Sequence, residues 1–374
     1  MSGAVPAHGG NLRAEARRLG VDFSTLLDAS ASLVPFRPPR SLQRALALAI
    51  RGSALRDYPD RDQWGLRDAI AGWHGLDSAC VLPGNGAAEL FTWAARDAAA
   101  LGCSLLPTPG FADYRRALQC WQAPLRSVSL PLMGCTGPLQ SFPEVDHGSL
   151  HDAVLWVTNP HNPTGQLWSR SSLEPLLERY ALVICDEAFL SLVPEGERQS
   201  LLPLVEAYPN LVVIRSLTKI LAVAGLRLGY AVAQPERLGR WQRWRDPWPV
   251  NGLASAAGEA VLADRKGFGR WLQRVHQWVM RDGLWLSEHL HALPGLVPLP
   301  SAANFVLIQA AQSLVPLRDA VARRHGVLLR DCRSFEGLGE NWLRIGLQNR
   351  RGNRRILRAL HQELARRPLV CPLV

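Results

Sequence analysis

Lysine is almost missing from this chain. Two lysines, Lys219 and Lys266, stand among 42 basic residues, and every other one is arginine. No apolar run approaches the ~18 residues that would span a bilayer. Met1 to Gly20 has no apolar stretch, so it does not read as a signal peptide. The seven cysteines are odd in number and form no C-x-x-C spacing, which points to reduced thiols in the cytosol. The ten histidines show neither H-E-x-x-H nor a cysteine–histidine zinc spacing, so no metal is expected. There is no internal repeat and no low-complexity linker. These absences set aside membrane, exported and zinc-bound classes and leave a cytoplasmic protein as the expectation.

What is present is core material. Hydrophobic residues make up 47% and charged residues 20%, which excludes disorder. The 374 residues suit one large and one small domain sharing a site. The net charge of +10 reads either as a nucleic-acid binder or as an arginine-rich chain that suits anionic small substrates. The arginines are scattered and locally dense only over Arg350 to Arg358, so no nucleic-acid partner is expected.

Between residues 80 and 230, short apolar runs each end in a polar or glycine-rich cluster. Cys80-Val-Leu82 leads into Pro83-Gly-Asn-Gly86, and Cys103-Ser-Leu-Leu106 into Pro107-Thr-Pro-Gly-Phe111. Ala153 to Val157 leads into Thr158 to Gly165, Ala181 to Cys185 into Asp186-Glu187, and Leu211 to Ile214 into Arg215 to Lys219. The last three start about 30 residues apart, the length of a strand–helix–strand unit. Ser171 to Tyr180 has helical spacing between two of them. Continuous apolar runs of this kind are buried parallel strands, and ligands sit beyond their carboxyl ends. An α/β fold follows, with Gly84–Gly86, Phe111, Asn159–Gly165, Asp186 and Ser216–Lys219 gathered on one rim. After Asn251 the pattern changes: residues 252–292 read as long helix and the rest as mixed strand and helix. The expected boundary lies near 250, with an α+β domain after it.

Lys219 is the sharpest residue. It follows a buried strand, so its ammonium is partly desolvated, as a Schiff-base lysine requires. Arginine can fill most surface roles but cannot form an imine, so a lysine kept in this chain carries weight. Lys266 reads as an exposed helix-end cation. Asp186 ends an apolar strand, where a carboxylate needs a partner. It is either a helix cap or ion pair, or the counter-ion of a protonated pyridine nitrogen. Gly84 to Leu90 is a strand–turn–helix: a phosphate site at a helix start, or a plain tight turn. Glu89 stands where the dinucleotide fingerprint has its third glycine. Ser216, Thr218 and Arg227 flank Lys219 as elements of a phosphate cup. Phe111 and Tyr58 are by themselves ordinary core aromatics, and His161 is given no chemistry.

Together these pieces resemble the fold-type I pyridoxal-phosphate enzymes of the class I/II aminotransferase superfamily, over nearly the whole chain. Asn159-Pro-His-Asn-Pro-Thr-Gly165, Asp186-Glu-Ala-Phe189, Ser216-Leu-Thr-Lys219 and Gly225-Leu-Arg-Leu-Gly-Tyr230 carry the resemblance. Within the superfamily the chain is most similar to the L-threonine-O-3-phosphate decarboxylases of cobalamin biosynthesis, with histidinol-phosphate aminotransferases next. His8-Gly-Gly-Asn11, Pro109 to Tyr114, Trp248-Pro-Val-Asn251 and Leu329-Arg-Asp-Cys332 tilt it that way.

The resemblance implies a large domain, 41–250, on a mostly parallel seven-stranded sheet covered by helices. It also implies a smaller α+β domain, 251–374, and an N-terminal segment, 1–40, packing on that domain and the active site. The implied cofactor is pyridoxal 5'-phosphate. Lys219 would bear it through a Schiff base, Asp186 would pair with its ring nitrogen, Asn162 would bond its ring hydroxyl and Phe111 would stack on it. Gly86, Ala87, Ser216, Thr218 and Arg227 would hold its phosphate. Tyr58 would reach that phosphate from the second subunit of a homodimer. Arg344 would grip the substrate carboxylate, with Arg330, His8 and Ser32 also at the substrate. The implied substrate is a phosphorylated amino acid. Aminotransferases usually carry tyrosine where Phe189 stands, and the family usually carries asparagine where Ser32 and Val34 stand and glycine at Arg37.

Overall fold

The computed structural model describes residues 9–145 and 150–369. Its strands are β1 (Leu27–Ala29), β2 (Val81–Asn85), β3 (Cys103–Thr108), β4 (Leu125–Ser129), β5 (Pro138–Leu139), β6 (Ala153–Thr158), β7 (Leu167–Trp168), β8 (Leu182–Asp186), β9 (Leu211–Ser216), β10 (Leu228–Val232), β11 (Val297–Pro298), β12 (Phe305–Gln309), β13 (Val327–Asp331) and β14 (Trp342–Gly346). The helices are α1 (Leu12–Leu19), α2 (Arg40–Arg51), α3 (Trp64–His74), α4 (Gly86–Ala99), α5 (Asp113–Gln119), α6 (Arg170–Leu173), α7 (Leu217–Ile220), α8 (Pro235–Trp244), α9 (Gly252–Ala263), α10 (Arg265–His291), α11 (Val315–His325) and α12 (Arg350–Arg366).

Strands β2-β10-β9-β8-β6-β3-β4 form a seven-stranded sheet in that order. All its neighbours are parallel except β10, which runs antiparallel to both β2 and β9. The sheet is therefore mostly parallel, as the sequence led one to expect. Strand alternation explains the continuous apolar runs. Leu155, Val157, Val183, Cys185 and Val213 enter one core. Their neighbours Val154, Trp156, Leu182, Ile184, Val212 and Ile214 enter a second one on the opposite face. A strand buried on both faces has little room for a polar position until it ends.

A five-stranded sheet, ordered β1-β13-β14-β12-β11, is antiparallel except where β1 lies parallel to β13. Residues near the start of the chain thus edge a sheet otherwise built from residues beyond 297.

Two local readings change. The segment from Ser171 to Tyr180 holds only the end of the short α6 and a 3-10 turn over Glu174–Glu178. Pro175 sits at the start of that turn and cannot donate to a continuing α-helix. The expected long helix over 252–292 is two helices. Asp264 interrupts it, and its carboxylate accepts from Gly267 N–H at 2.9 Å, capping α10. Lys266 is exposed, in the first turn of α10.

Candidate active site

Strands β2, β6, β8 and β9 point the same way, so their carboxyl ends share a rim. Because β10 is reversed, its first residues lie on that rim too. Strand β2 runs directly into α4 at Gly86, and β9 into α7 just before Lys219. Arg227 immediately precedes β10. The fold thus brings together Gly86, Ala87, Asn162, Asp186, Ser216, Thr218, Lys219 and Arg227.

The start of α4 and the arginine fit against each other because of glycines. Gly86 has φ +72°, and a Cβ there would stand 2.5 Å from Arg227 Nη2. A Cβ at Gly229 would stand 2.8 Å from Ala87 N. Nearby, Ser216 Oγ lies 2.7 Å from Thr218 Oγ1, both side chains being buried. The guanidinium of Arg227 is exposed, and its Nη1 donates to Ala224 O at 3.2 Å. Helix N–H groups, two hydroxyls and a guanidinium in a space that only glycine leaves open are the donor set for a phosphate. The rim therefore fits the phosphate of the implied cofactor.

Lys219 Nζ donates to Thr218 Oγ1 at 3.2 Å and lies 5.6 Å from the centre of the Phe189 ring. Burial pushes the ammonium down to about 8, and Arg227 and Arg344 push the same way against the pull of Asp186. Asp186 is pushed up to about 6 by burial, which its hydrogen bonds and Lys219 oppose. Its Oδ2 accepts from Tyr114 Oη at 2.5 Å and its Oδ1 from Ala188 N–H at 2.9 Å. Tyr114 Oη also lies 2.9 Å from Thr158 Oγ1.

The sequence reading missed Tyr114. A buried tyrosine needs a partner for its hydroxyl, which was the available signal, but nothing along the chain names that partner. Phe111 is half-buried, edge-on to Tyr114 with ring centres 5.6 Å apart.

The facing wall comes from the smaller sheet. Arg330 on β13 and Arg344 on β14 are direct cross-strand partners, and both are buried. Arg344 Nη1 donates to Asn162 Oδ1, Nη2 donates to Ser30 O at 3.3 Å, and Nε has no partner among the described residues. Its guanidinium lies over Phe305, 4.7 Å from the ring centre, and Phe305 in turn meets Phe189 edge-on. Arg330 donates to Ser334 Oγ at 2.5 Å. The stretch from Ala29 to Val34 joins the two walls: Ala29 pairs with Leu329, and Val34 N–H donates to Lys219 O at 3.4 Å. In it, Ser32 is buried and its Oγ has no partner among the described residues.

Other residues fall elsewhere. Tyr58 is 78% exposed and stacks on Trp248, ring centres 4.4 Å apart. His8 lies outside the described residues. His161 is buried in its turn, with Nδ1 2.7 Å from Thr164 Oγ1. Glu187, beside Asp186, faces away into a buried ion network: Arg215 Nε donates to it at 2.8 Å, and Arg215 Nη1 to Glu197 at 2.8 Å. Among the described residues, no cluster of three or more His, Cys, Asp or Glu could hold a metal ion. No helix among them is long and apolar enough to cross a membrane.

The family profile of aminotransferase class I and II matches residues 26–360. A threonine-phosphate decarboxylase from Salmonella typhimurium is 33% identical over 374 residues, covering 96% of each chain. A histidinol-phosphate aminotransferase from Symbiobacterium thermophilum is 36% identical over 328 residues, covering 86% of each. In fold, the histidinol-phosphate aminotransferase from Sinorhizobium meliloti, solved with pyridoxal-5'-phosphate, superposes with a TM-score of 0.80 at 19% identity, covering 98% of each chain. With the family match and a rim that fits the cofactor's phosphate, the chain belongs to the class I and II aminotransferase family and is a pyridoxal 5'-phosphate-dependent enzyme.

Proposed function

We propose that this enzyme decarboxylates L-threonine O-3-phosphate to (R)-1-aminopropan-2-yl phosphate, a step of cobalamin biosynthesis. The observation that carries the reading is the register of β13 and β14, which sets two buried guanidiniums directly opposite each other. Like charges in that position repel. The guanidinium of Arg344 is pushed down to about 10, by burial first and then by Arg330. A substrate with two anionic groups relieves both, and a phospho-amino acid has a carboxylate and a phosphate.

On this reading Arg344 holds the carboxylate and Arg330 the phosphate, with Ser32 beside them, and His8 is proposed as a further substrate contact. Gly86, Ala87, Ser216, Thr218 and Arg227 hold the cofactor phosphate, and Phe111 covers the ring. Asn162 meets the ring hydroxyl through its amide nitrogen, its oxygen being taken by Arg344. When bound, pyridoxal phosphate supplies an electron sink for the bond that breaks. Asp186 holds a proton at the ring nitrogen. Lys219 Nζ, with its depressed proton affinity, is the base and acid at the substrate's α-carbon.

A second reading, histidinol-phosphate or another class I/II aminotransferase, is favoured by the higher identity of the Symbiobacterium relative. Histidinol phosphate has no carboxylate, so there Arg344 would serve only the second amino acid. We further propose a homodimer. Leu48, Leu55, Tyr58 and Trp64 are large apolar side chains, each more than half exposed. A second copy would cover them and place its Tyr58 at this chain's phosphate cup. The domains we propose are 41–250 and 251–374, with 1–40 packed on the latter. The six described cysteines are free thiols, in keeping with work in the cytoplasm.

The test is to incubate the cofactor-loaded protein with O-phospho-L-threonine and no oxo acid, and to seek 1-aminopropan-2-yl phosphate by mass spectrometry. Catalytic turnover is the expected result. Turnover only with histidinol phosphate and 2-oxoglutarate would replace this reading with the second.

A further inference from the structure

Asp186 sits buried at the end of β8, with little water-facing surface to stabilise its charge. Burial opposes the ionised carboxyl, Glu187 just past the strand adds repulsion, and the thiol of Cys185 is adjacent. Lys219 on α7 favours ionisation from across the rim. So does the Ala188 N–H, and further support comes from an element that belongs neither to the lysine segment nor to the phosphate cup. Helix α5 begins just after the turn carrying Phe111, and in its first turn Tyr114 sends its hydroxyl under the sheet end to Asp186 Oδ2.

The hydrogen count fixes the direction of this chain. A tyrosine hydroxyl has one proton and an ionised carboxylate has none, so Tyr114 donates to Asp186. Thr158 Oγ1, 2.9 Å from the same hydroxyl, must then donate to Tyr114. Burial and Asp186 both keep the tyrosine protonated, pushing its ionisation well above the usual range. Thr158, Tyr114 and Asp186 thus form a one-way chain of donors, and each bond polarises the next. It ends on the oxygen that the Ala188 N–H does not use.

We infer that Tyr114, backed by Thr158, is a positioning residue that keeps Asp186 ionised and fixes its orientation toward the ring nitrogen of the cofactor. This rests on the reading that Asp186 pairs with that nitrogen. The ring of Tyr114 also packs against Phe91, 5.0 Å between centres, and Trp156, 5.1 Å. Tyr114→Phe keeps that packing and removes only the donor.

The experiment has two measurements. In cofactor-free protein, the carboxyl of Asp186 is titrated by carbon NMR, with its signal assigned from Asp186→Asn. In cofactor-loaded protein, the ring nitrogen is followed by NMR of isotope-labelled pyridoxal phosphate, together with the cofactor dissociation constant. Tyr114→Phe should raise the pH at which Asp186 titrates by about one unit or more, the worth of a hydrogen bond to a charged group. It should also shift the ring nitrogen toward its unprotonated signal and loosen the cofactor. Thr158→Val should do the same to a smaller extent, and it carries the test alone if Tyr114→Phe does not fold. An unmoved Asp186 titration in a folded variant would overturn the inference. If Asp186→Asn itself leaves the ring nitrogen unchanged, the pairing of Asp186 with that nitrogen is wrong and the role of Tyr114 falls with it.

Discussion

The two walls of the site are built on opposite terms. On the large-sheet side the groups nearest Lys219 and Asp186 satisfy one another: Thr158, Tyr114 and Asp186 form a chain, Ser216 meets Thr218, and Lys219 donates to Thr218. Beneath them Arg215 is answered by Glu187 and Glu197. On the small-sheet side two arginines face each other, and Arg344 Nε and Ser32 Oγ have no partner among the described residues. A resident cofactor needs a surface fixed in advance. A substrate that comes and goes can be met by groups whose needs it alone fulfils, because buried polar atoms left unpaired bind most strongly what pairs them. Each experiment below perturbs one wall and asks whether the other notices.

The largest expected effect is at Lys219. Lys219→Ala removes the only side-chain amine on the rim among the described residues, and kcat should fall by at least about 10⁴-fold, the upper range for a general acid–base group. The visible absorbance of bound cofactor should be lost with it, which spectrophotometry of the purified variant checks. Next comes Arg344→Ala. Two charge-assisted hydrogen bonds at about 2 kcal/mol each amount to about 10³-fold in kcat/KM. The cofactor dissociation constant should change far less, through the lost bond to Asn162 Oδ1. Steady-state kinetics beside a cofactor titration separates the two.

Asp186→Asn should weaken the cofactor yet stabilise the cofactor-free fold. The folded carboxyl titrates at about 6 against an ordinary 3.8, so the folded state holds the proton more tightly than the unfolded chain. Its stability therefore falls as pH rises from about 4 to 6 and stays reduced above that. Asparagine has no proton to lose. At about 1.4 kcal/mol per pH unit the gain is on the order of 3 kcal/mol. Urea unfolding of both cofactor-free proteins at alkaline pH, where Lys219 is largely neutral, reads it directly. Equal stabilities would mean that Tyr114 and Ala188 already offset the burial of Asp186.

Most of the large-sheet wall was legible in the sequence. A strand buried on both faces has little room for polar residues until it ends, so the polar residues that close the apolar runs, such as Asp186 and, after the ion-paired Arg215, Ser216, mark the rim. The near-absence of lysine did the same for Lys219. Tyr114 was not legible, because its partner belongs to a strand about 70 residues away. The break at Asp264 was missed because apolar helical spacing continues across it, and only the carboxylate's reach to Gly267 reveals the cap. The facing of Arg330 and Arg344 depends on the register of two strands joined by a loop, and residue spacing does not set that register.

Ser32 offers the smallest and sharpest test. Its hydroxyl is buried without a partner among the described residues, so Ser32→Ala removes no hydrogen bond from the protein alone. Stability should stay level or rise by up to about 1 kcal/mol, in contrast to the loss expected when a paired buried group is cut. If the hydroxyl serves the substrate, kcat/KM should fall about tenfold while thermal unfolding does not, the worth of one hydrogen bond made only in the complex. Ser32→Asn would install the residue that the resemblance leads one to expect there. It also places a longer amide beside Asn304, whose Nδ2 already donates to Ser32 O at 3.1 Å and whose Oδ1 has no partner among the described residues. An amide at position 32 could donate to that oxygen and satisfy the wall from within. The comparison then predicts a more stable protein with a lower kcat/KM for the phospho-amino acid, since a wall that completes itself has less to gain from its substrate.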